Sequence, residues 1–322
     1  MKHLSIATWN LEALDDRNAA TWNTRITVLR DTLERINADI LILQEINTLS
    51  ALNTLRQGTY CQNYNIAHTK TQAGTPYDER NLVTMSKWNI STTNQYLNDI
   101  APPPKWQKIT QNPPDTTAQK VEWERPILHA KIDLNGKQLN TINIHLKSMI
   151  PTNITGQQDP NNRYKWLSHI GWAEGYFLSD IKRVGQALET RMLIDQILTQ
   201  QGNDALIAVG GDYNADIGSV PFKTIVGSVD DTSNPDLRPG VLIPCEMNVP
   251  STSRFSLLHR GKGNMIDHIA VSHVFYPYWE ETAIFNELLP DKSIAFATTQ
   301  KFPESDHAPV VAHFCVPDSW IP

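Results

Sequence analysis

Residues 205–214 read Ala-Leu-Ile-Ala-Val-Gly-Gly-Asp-Tyr-Asn, so that five apolar residues run directly into two glycines and a polar segment. A continuous apolar run of this length is typical of a strand that is buried on both faces. Because side chains alternate along an extended backbone, we expect Asp212 and Asn214 to point to the same side. The glycines fit either an ordinary turn or a backbone that a substrate approaches closely. The stretch therefore predicts a core strand with a carboxylate and an amide at its carboxyl end.

The rest of the chain supplies further strands and helices. An apolar run over 40–43 leads into Gln44-Glu45, which places a second carboxylate at the end of a strand. Asn135-Gly136 lies between two alternating segments and is a strong signal for a tight hairpin. The other predicted elements are strands at the start of the chain and over 82–85, 127–134, 137–146, 265–272 and 308–314, helices over 24–36 and 181–199, and a Pro-rich loop over 98–120. This pattern predicts an α+β fold in which two sheets pack face to face with helices outside.

The composition limits the class of protein. The 322 residues are 40% hydrophobic and carry a net charge of −6, from 34 acidic and 28 basic side chains. This balance disfavours avid, non-specific binding to duplex nucleic acid, so a polyanionic substrate would need a local basic patch or a bound metal. Three dispersed cysteines predict neither a disulfide framework nor a thiolate zinc site. No apolar run approaches the roughly 20 residues that span a bilayer, and the start lacks a signal-peptide pattern. We therefore expect a cytoplasmic protein with no transmembrane segment and no evident protein partner.

Polar side chains with metal-ligating or acid–base chemistry recur where the predicted strands end. Any one of them fits a solvated strand end equally well, so their joint occurrence carries the hypothesis. Carboxylates and amides without a cysteine cluster favour Mg²⁺ or Mn²⁺, which can neutralise a phosphate during attack. The residues concerned are Asn10, Glu12, Glu45, His145, Asp212, Asn214, Asp267, Asp306 and His307.

Asp267 and the Asp306-His307 pair suggest an acid–base unit. Asp267 interrupts an apolar strand, and a buried carboxylate needs a partner such as a histidine or a metal. Asp306-His307 alone fits a plain turn, but together with Asp267 it is typical of a base and its orienting group.

The order of these segments resembles the endonuclease/exonuclease/phosphatase superfamily, which has the deoxyribonuclease-I-like fold. The similarity covers nearly the whole chain and is specific for the superfamily rather than for a substrate. Six segments carry it: Thr8-Trp9-Asn10, Leu43-Gln44-Glu45, Asn143-Ile144-His145-Leu146, Gly211-Asp212-Tyr213-Asn214, Ile266-Asp267-His268 and Ser305-Asp306-His307.

The resemblance implies a four-layer α-β-β-α sandwich, with residues 1–322 forming one catalytic domain that has an insertion at about 150–180. It implies that Mg²⁺ or Mn²⁺ is bound by Glu45, with help from Asn10 and Asp306. Glu12 stands where nucleases of the superfamily often carry a shorter aspartate, which puts its role as a ligand in question.

The resemblance also implies roles for the remaining residues. Asp212 would position or deprotonate the attacking water, and Asn214 would hold a phosphate oxygen. His307, oriented by Asp267, would act as general base or stabilise the transition state. His145 and Arg125 would contact the phosphate, and Arg125 suits this because its guanidinium is a rigid fork. Arg80 is expected to be a surface charge rather than a substrate contact.

We expect metal-dependent hydrolysis of a phosphoester, with nucleic acid as the first substrate class. The alternatives are a lipid or small phosphoester, as in the sphingomyelinases and inositol polyphosphate phosphatases of the superfamily, or a module without catalysis. The aromatic run over 164–177 is expected to pack the insertion onto the body, although it could also stack bases or contact lipid. The distribution of basic side chains distinguishes a polymer from a small substrate. A polymer would require the following residues to line one groove, and scattered positions would favour a small phosphoester: Lys105, Lys108, Lys120, Arg125, Lys147, Arg163, Lys165, Lys182 and Arg183.

Overall fold

The computed structural model describes residues 1–298 and 302–321. The strands are β1 (Lys2–Leu14), β2 (Ile40–Ile46), β3 (Asn65–His68), β4 (Asn81–Ser86), β5 (Ile90–Tyr96), β6 (Lys105–Trp106), β7 (Gln119–Lys120), β8 (Ile127–Leu134), β9 (Lys137–His145), β10 (Gln158–Asp159), β11 (Asn162–Trp166), β12 (Leu206–Asp212), β13 (Leu242–Pro244), β14 (Leu257–His259), β15 (Lys262–Asn264), β16 (Asp267–Ser272), β17 (Trp279–Ile284) and β18 (Val310–Val316). The α-helices are α1 (Ala19–Ile36), α2 (Leu49–Arg56), α3 (His169–Gln201), α4 (Val220–Val226), α5 (Val229–Thr232) and α6 (Lys292–Ala297).

Two six-stranded mixed sheets form the body of the protein. One has the order β17-β18-β1-β2-β4-β3, and the other has the order β13-β16-β12-β9-β8-β5. Their facing sides share a core to which Ile6 and Ile42 contribute from the first sheet, and Ala208 and Ile269 from the second. Helices α1 and α2 cover the outer face of the first sheet, and α3 and α4 cover that of the second. The predicted α-β-β-α sandwich of the α+β class is confirmed.

The register of the second sheet determines where the polar strand ends meet. Strand β12 pairs in parallel with β9, so that Asp212 lies opposite His145. The same strand pairs antiparallel with β16, so that Asp212 also lies opposite Asp267. The predicted site residues His145, Asp212 and Asp267 are therefore neighbours on three adjacent strands, at the ends of those strands.

The two glycines of the stretch at 205–214 have a packing role. A Cβ atom at Gly210 would lie 2.8 Å from Ile42 Cδ1 of the facing sheet, and one at Gly211 would lie 1.9 Å from the Ile144 carbonyl oxygen. Gly211 also has a φ of +148°, which disfavours other residues. Contacts between the strands therefore account for both glycines, whether or not a substrate approaches their backbone.

Several predicted boundaries differ from the structure. Helix α1 begins earlier than expected because Asn18 caps it by accepting a hydrogen bond from the Ala20 amide. Helix α3 takes up the second half of the insertion, and its cap is Ser168. The loop at 98–120 contains the short ribbon of β6 and β7. The hairpin at Asn135-Gly136 is confirmed, with φ values of 52° and 87° at its two central residues. Among the described residues, no helix combines the length and apolar character that crossing a bilayer requires.

A buried ion pair between β16 and the 3-10 turn at Cys245–Asn248 makes stability dependent on pH. His268 Nδ1 lies 2.6 Å from Glu246 Oε1, and both side chains are fully buried. Burial alone would lower the pKa of His268, but the Glu246 carboxylate outweighs it and raises this pKa above its usual range. The unfolded chain therefore loses the proton first as pH rises, at about 6.5, while the folded protein keeps it.

We expect this pair to contribute its full stability below about pH 6.5, and less as pH rises through the folded pKa of His268. Chemical denaturation of the wild type and of a Glu246→Gln/His268→Gln variant over this range measures the difference between them. The wild type should lose more stability than the variant as pH rises. Parallel pH curves for the two proteins would contradict the expectation.

Candidate active site

A cavity of about 390 Å³ opens where the strand ends of the two sheets meet. Glu45 reaches it from the first sheet, and Asp212 reaches it from the second. His307, which precedes β18, completes the wall, so residues far apart in the sequence share one hollow. The predicted residues that line it are Glu45, Arg125, His145, Asp212, Asn214 and His307.

Asp212 lies at the centre of the polar contacts. Its Oδ2 accepts hydrogen bonds from Asn10 Nδ2 at 3.1 Å and from Asn214 Nδ2 at 3.0 Å. His145 Nε2 lies 3.3 Å from the same oxygen, and His307 Nε2 lies 3.9 Å from it. Burial alone would raise the pKa of Asp212, but His307, His145 and the Asn214 backbone amide hold it well below its usual range. The side chain is therefore a buried carboxylate that stays ionised.

The side chain of Asn214 points into the site because of a turn in the backbone, and not because of the side-chain alternation predicted for an extended strand. Its φ of 47° breaks the extended backbone directly after Tyr213, which is fully buried on the other side. Its amide donates to Asp212 Oδ2 and to the Leu146 carbonyl oxygen, at 3.0 Å each. Both amide hydrogens are thus occupied, and the side chain is placed to fix the orientation of Asp212.

His307 is held between carboxylates. Its Nδ1 lies 2.8 Å from Asp267 Oδ2, which also accepts a hydrogen bond from Ser256 Oγ at 2.6 Å. Burial alone would lower the pKa of His307, but Asp267, Asp212 and then Asp306 raise it to about 10. The imidazole therefore carries a proton at neutral pH and presents Nε2 towards the cavity. The predicted pairing of His307 with Asp267 is present in the structure.

His145 is buried in the wall of the cavity, and Arg125, which also lines the cavity, is half-buried. His145 Nε2 lies 3.6 Å from Glu45 Oε1, while its Nδ1 has no hydrogen-bond partner among the described residues. Burial, followed by the charge of Arg125, lowers the pKa of His145 below its usual range. Arg125 donates from Nη1 to the Leu146 carbonyl oxygen at 2.8 Å. The site thus pairs a neutral imidazole with a fixed guanidinium.

Acidic groups gather around the end of β1, where Glu12 and Asp306 line a second cavity that shares Lys292 with the first. Glu45 Oε2 accepts from the Ala13 amide at 3.0 Å, and Glu12 Oε2 accepts from the Asp306 amide at 3.0 Å. Glu12, Ala13 and Glu45 all have positive φ values, between 45° and 59°. Burial, followed by the charge of Asp306, raises the pKa of Glu12 to about 7. Such crowding of carboxylates, supported by a strained backbone, is typical of a cation site.

The donors present fit a hard divalent cation. Asp306 Oδ1 is buried and has no hydrogen-bond partner among the described residues. It lies 3.7 Å from His307 Nε2, and Lys292 pairs with the other oxygen, Oδ2. A carboxylate oxygen of this kind is a donor that a hard divalent cation takes. The oxygens of Glu45, Asn10 and Glu12 belong to the same chemical class. Asp212, Asp267 and His307 also bring ligand atoms within 4.8 Å of one another. In that trio Asp267 lies next to His307 Nδ1, and Asp212 lies on the side of His307 Nε2. A protonated His307 between two carboxylates therefore accounts for the closeness of the three residues without a metal.

Two site residues were not identified from the sequence. Lys292 Nζ lies 2.6 Å from Asp306 Oδ2, yet Asp291-Lys292-Ser293 is simply the start of α6. Ser256 supports Asp267 from a loop without any local motif. Arg80 is exposed, as expected of a surface charge, and it also lines the cavity.

The cations divide unequally between the cavity and the rest of the surface. Nine basic residues would have to line one groove to bind a polymer, and three of them, Arg125, Lys147 and Arg163, line the cavity. Two further cations, Arg80 and Lys292, also line it. Burial, and then Arg125 nearby, lower the pKa of Lys147 to about 8. Positive charge is thus concentrated within a compact hollow, and the other six cations lie outside it.

The comparisons with known proteins agree with this architecture. The model of the Endonuclease/Exonuclease/phosphatase family matches residues 7–307. Truncated TDP2 from Caenorhabditis elegans is similar in structure, with 15% identity, 98% of each chain covered and a TM-score of 0.57. The Bacteroides thetaiotaomicron mannosyl-6-phosphatase Bt3783 has 17% identity, with 96% of this chain and 98% of that chain covered and a TM-score of 0.56. The 3'-5' exonuclease (NExo) from Neisseria meningitidis has 15% identity, with 97% and 99% covered and a TM-score of 0.54. The comparison with curated protein sequences finds no match.

Proposed function

The chain belongs to the endonuclease/exonuclease/phosphatase family, and from this premise we propose that it is a Mg²⁺- or Mn²⁺-dependent hydrolase of phosphodiesters, in which residues 1–322 act as one catalytic domain. The observation that carries the proposal is the position of Asp212. This ionised carboxylate is fixed by two amides between two imidazoles, in a cavity that Glu45 and Arg125 share. Such an arrangement suits attack by water on phosphorus next to a cation.

Glu45, Asn10 and Asp306 would hold the metal, with Glu12 beside them. When bound, the metal neutralises phosphate oxygens and the charge that develops on them. Asp212 orients the attacking water and accepts its proton, and Asn10 and Asn214 keep the carboxylate in place. His307 donates from Nε2 to a phosphate oxygen, while Asp267 fixes its ring. Arg125 and His145, which line the same cavity, contact the remaining phosphate oxygens.

We propose a compact phosphodiester, small or lipid-borne, as the substrate, because the cations are concentrated in a hollow of about 390 Å³. The chain is acidic overall, and six of the nine cations that a polymer groove requires lie outside the cavity. Nucleic acid is the second candidate, and the presence of Arg80 and Arg163 in the cavity supports it. Cleavage of single nucleotides from an end would place only a short part of a strand in this hollow.

The experiment that tests the proposal is a substrate panel with and without metal. The purified protein is stripped with a chelator and then assayed with Mg²⁺ or Mn²⁺ on a bis-aryl phosphodiester, an aryl phosphomonoester, sphingomyelin, inositol phosphates, DNA and RNA. We expect hydrolysis of the diester to disappear with the chelator and to return with either ion. We also expect it to exceed hydrolysis of the monoester.

Glu45→Gln provides the matched variant, because it removes a charge from the metal site with little change in shape. It should raise the metal concentration for half-maximal activity by about tenfold or more, with the fold unchanged by circular dichroism. Diester hydrolysis that persists in the chelator would contradict metal dependence. Processive degradation of long duplex DNA at low enzyme concentration would favour the second candidate.

A further inference from the structure

Large apolar side chains are exposed on the first turns of α3. Ile170 is 61% exposed, Trp172 is 44% exposed and Phe177 is 44% exposed, whereas the inward positions of the same turns are held by Gly171 and Glu174. The outward face of a surface helix is normally polar, so the usual pattern is reversed here. We define the apolar patch as Ile109, Leu167, Ile170, Trp172, Tyr176 and Phe177, all of which are exposed.

The patch is held in place by buried polar contacts. Glu174 accepts hydrogen bonds from Trp106 Nε1 at 2.8 Å, from the Ile109 amide at 2.7 Å and from the Thr110 amide at 2.9 Å. The ring of Trp106 lies 4.7 Å from that of Phe177. The segment that contains Ile109 is therefore fixed onto α3, and the patch is a preformed surface.

The helix that carries most of the patch also contacts a loop of the cavity wall. The Thr152 amide donates to the Gly175 carbonyl oxygen at 2.9 Å, which ties the loop before β10 to α3. Ile150 of this loop and Arg163 of β11 both line the cavity.

Cations flank the patch on the ribbon of β6 and β7. Lys105 lies directly opposite Lys120 in the register of this ribbon. Both side chains are exposed, and neither forms an ion pair among the described residues. Like charges placed opposite one another destabilise a strand pair unless an anion offsets them. The ribbon thus presents paired positive charge next to Trp106, in a chain whose net charge is −6.

We propose that the apolar patch docks on the surface of an anionic lipid bilayer, with Lys105 and Lys120 against the headgroups. Aliphatic and aromatic side chains rimmed by lysine are the combination that partitions into a bilayer interface. Single-stranded nucleic acid fits less well, because stacking needs open ring faces. Here the Trp172 and Tyr176 rings contact each other edge-on at 4.9 Å. The Phe177 ring, which remains 44% exposed, packs against Trp106 at an interplanar angle of 59°.

Vesicle flotation tests this assignment with the full chain. The protein is mixed with vesicles of phosphatidylcholine alone, or of phosphatidylcholine with phosphatidylserine. We expect binding to the second type, weakened by salt. Ile170→Ser/Trp172→Ser should lower partitioning by about tenfold or more, because two half-exposed apolar side chains no longer enter the interface. Lys105→Gln/Lys120→Gln should reduce the preference for phosphatidylserine.

Leu188→Ser is the matched control, since Leu188 is 47% exposed on a later turn of the same helix, and this variant should bind as the wild type does. Hydrolysis of a water-soluble bis-aryl phosphodiester should be unchanged in all three variants, which separates docking from the catalysis proposed above. Absence of wild-type binding, or equal binding to the two vesicle types, would overturn the assignment. Loss of oligonucleotide binding in the patch variant, with vesicle binding unchanged, would overturn it in favour of nucleic acid.

Discussion

Replacement of Asp212 by asparagine is expected to lower the turnover of a phosphodiester by at least ~10²-fold, or about 2.7 kcal/mol of transition-state stabilisation. The change keeps the shape of the side chain but removes the negative charge that would orient water and accept its proton. Asn10 and Asn214 would still surround the position, so binding should change less than turnover. Steady-state kinetics with saturating Mg²⁺ separates kcat from KM and measures the effect.

Asp204→Asn is the control for this experiment, because Asp204 is exposed and does not line the cavity. It makes the same chemical change at the surface and should leave kcat unaltered. Thermal unfolding of both variants shows whether the fold is intact. A kcat in the Asp212 variant within a few-fold of the wild-type value would remove Asp212 from the mechanism.

The sequence predicted the sandwich because its strands carry strong local signals. Apolar runs over 40–43 and 205–209 identified buried strands, and Asn135-Gly136 identified the hairpin. These signals are contained in a few neighbouring residues, so they require no knowledge of the tertiary structure. The convergence of Asp212 with His145 and Asp267 depends on strand register, which the sequence suggested only through the family resemblance.

The features that were missed depend on non-local contacts. Helix α3 was predicted to begin at 181, because its first turns place Trp172 outside and Glu174 inside, which hides the helical periodicity. Glu174 is inside because the segment that contains Trp106 and Ile109 supplies its hydrogen bonds. Lys292 likewise meets Asp306 only after the chain has folded.

The role of Asn214 was also inferred incompletely. Its type and spacing suggested contact with a phosphate oxygen, but both of its amide hydrogens are used within the protein. Hydrogen-bond occupancy of this kind depends on the position of the Leu146 carbonyl oxygen, which no sequence pattern specifies. We therefore propose that Asn214 acts on Asp212, and that Arg125 and His145 contact the phosphate.

Replacement of His307 by alanine is expected to lower turnover by at least ~10²-fold. The imidazolium faces the cavity through Nε2 and lies 3.9 Å from Asp212 Oδ2, so its loss removes both a donor to the phosphate and a charge beside the carboxylate. His273→Ala, at an exposed position, is the control and should turn over as the wild type does. Measurement of kcat at saturating substrate gives the comparison.

Asp267→Asn tests whether Asp267 keeps His307 protonated, because Asp267 acts only through the imidazole. Its carboxylate is one of the charges that raise the pKa of His307 to about 10, so its removal should lower that pKa. If the protonated ring is the active form, activity is lost as pH rises through this pKa, and the decline should begin at lower pH in the variant. A pH–rate profile of the variant that falls uniformly, without a shift, would mean that Asp267 supports the fold and not the ionisation of His307. Unchanged turnover in His307→Ala would exclude the imidazolium from the reaction and leave its proximity to Asp212 as a structural ion pair.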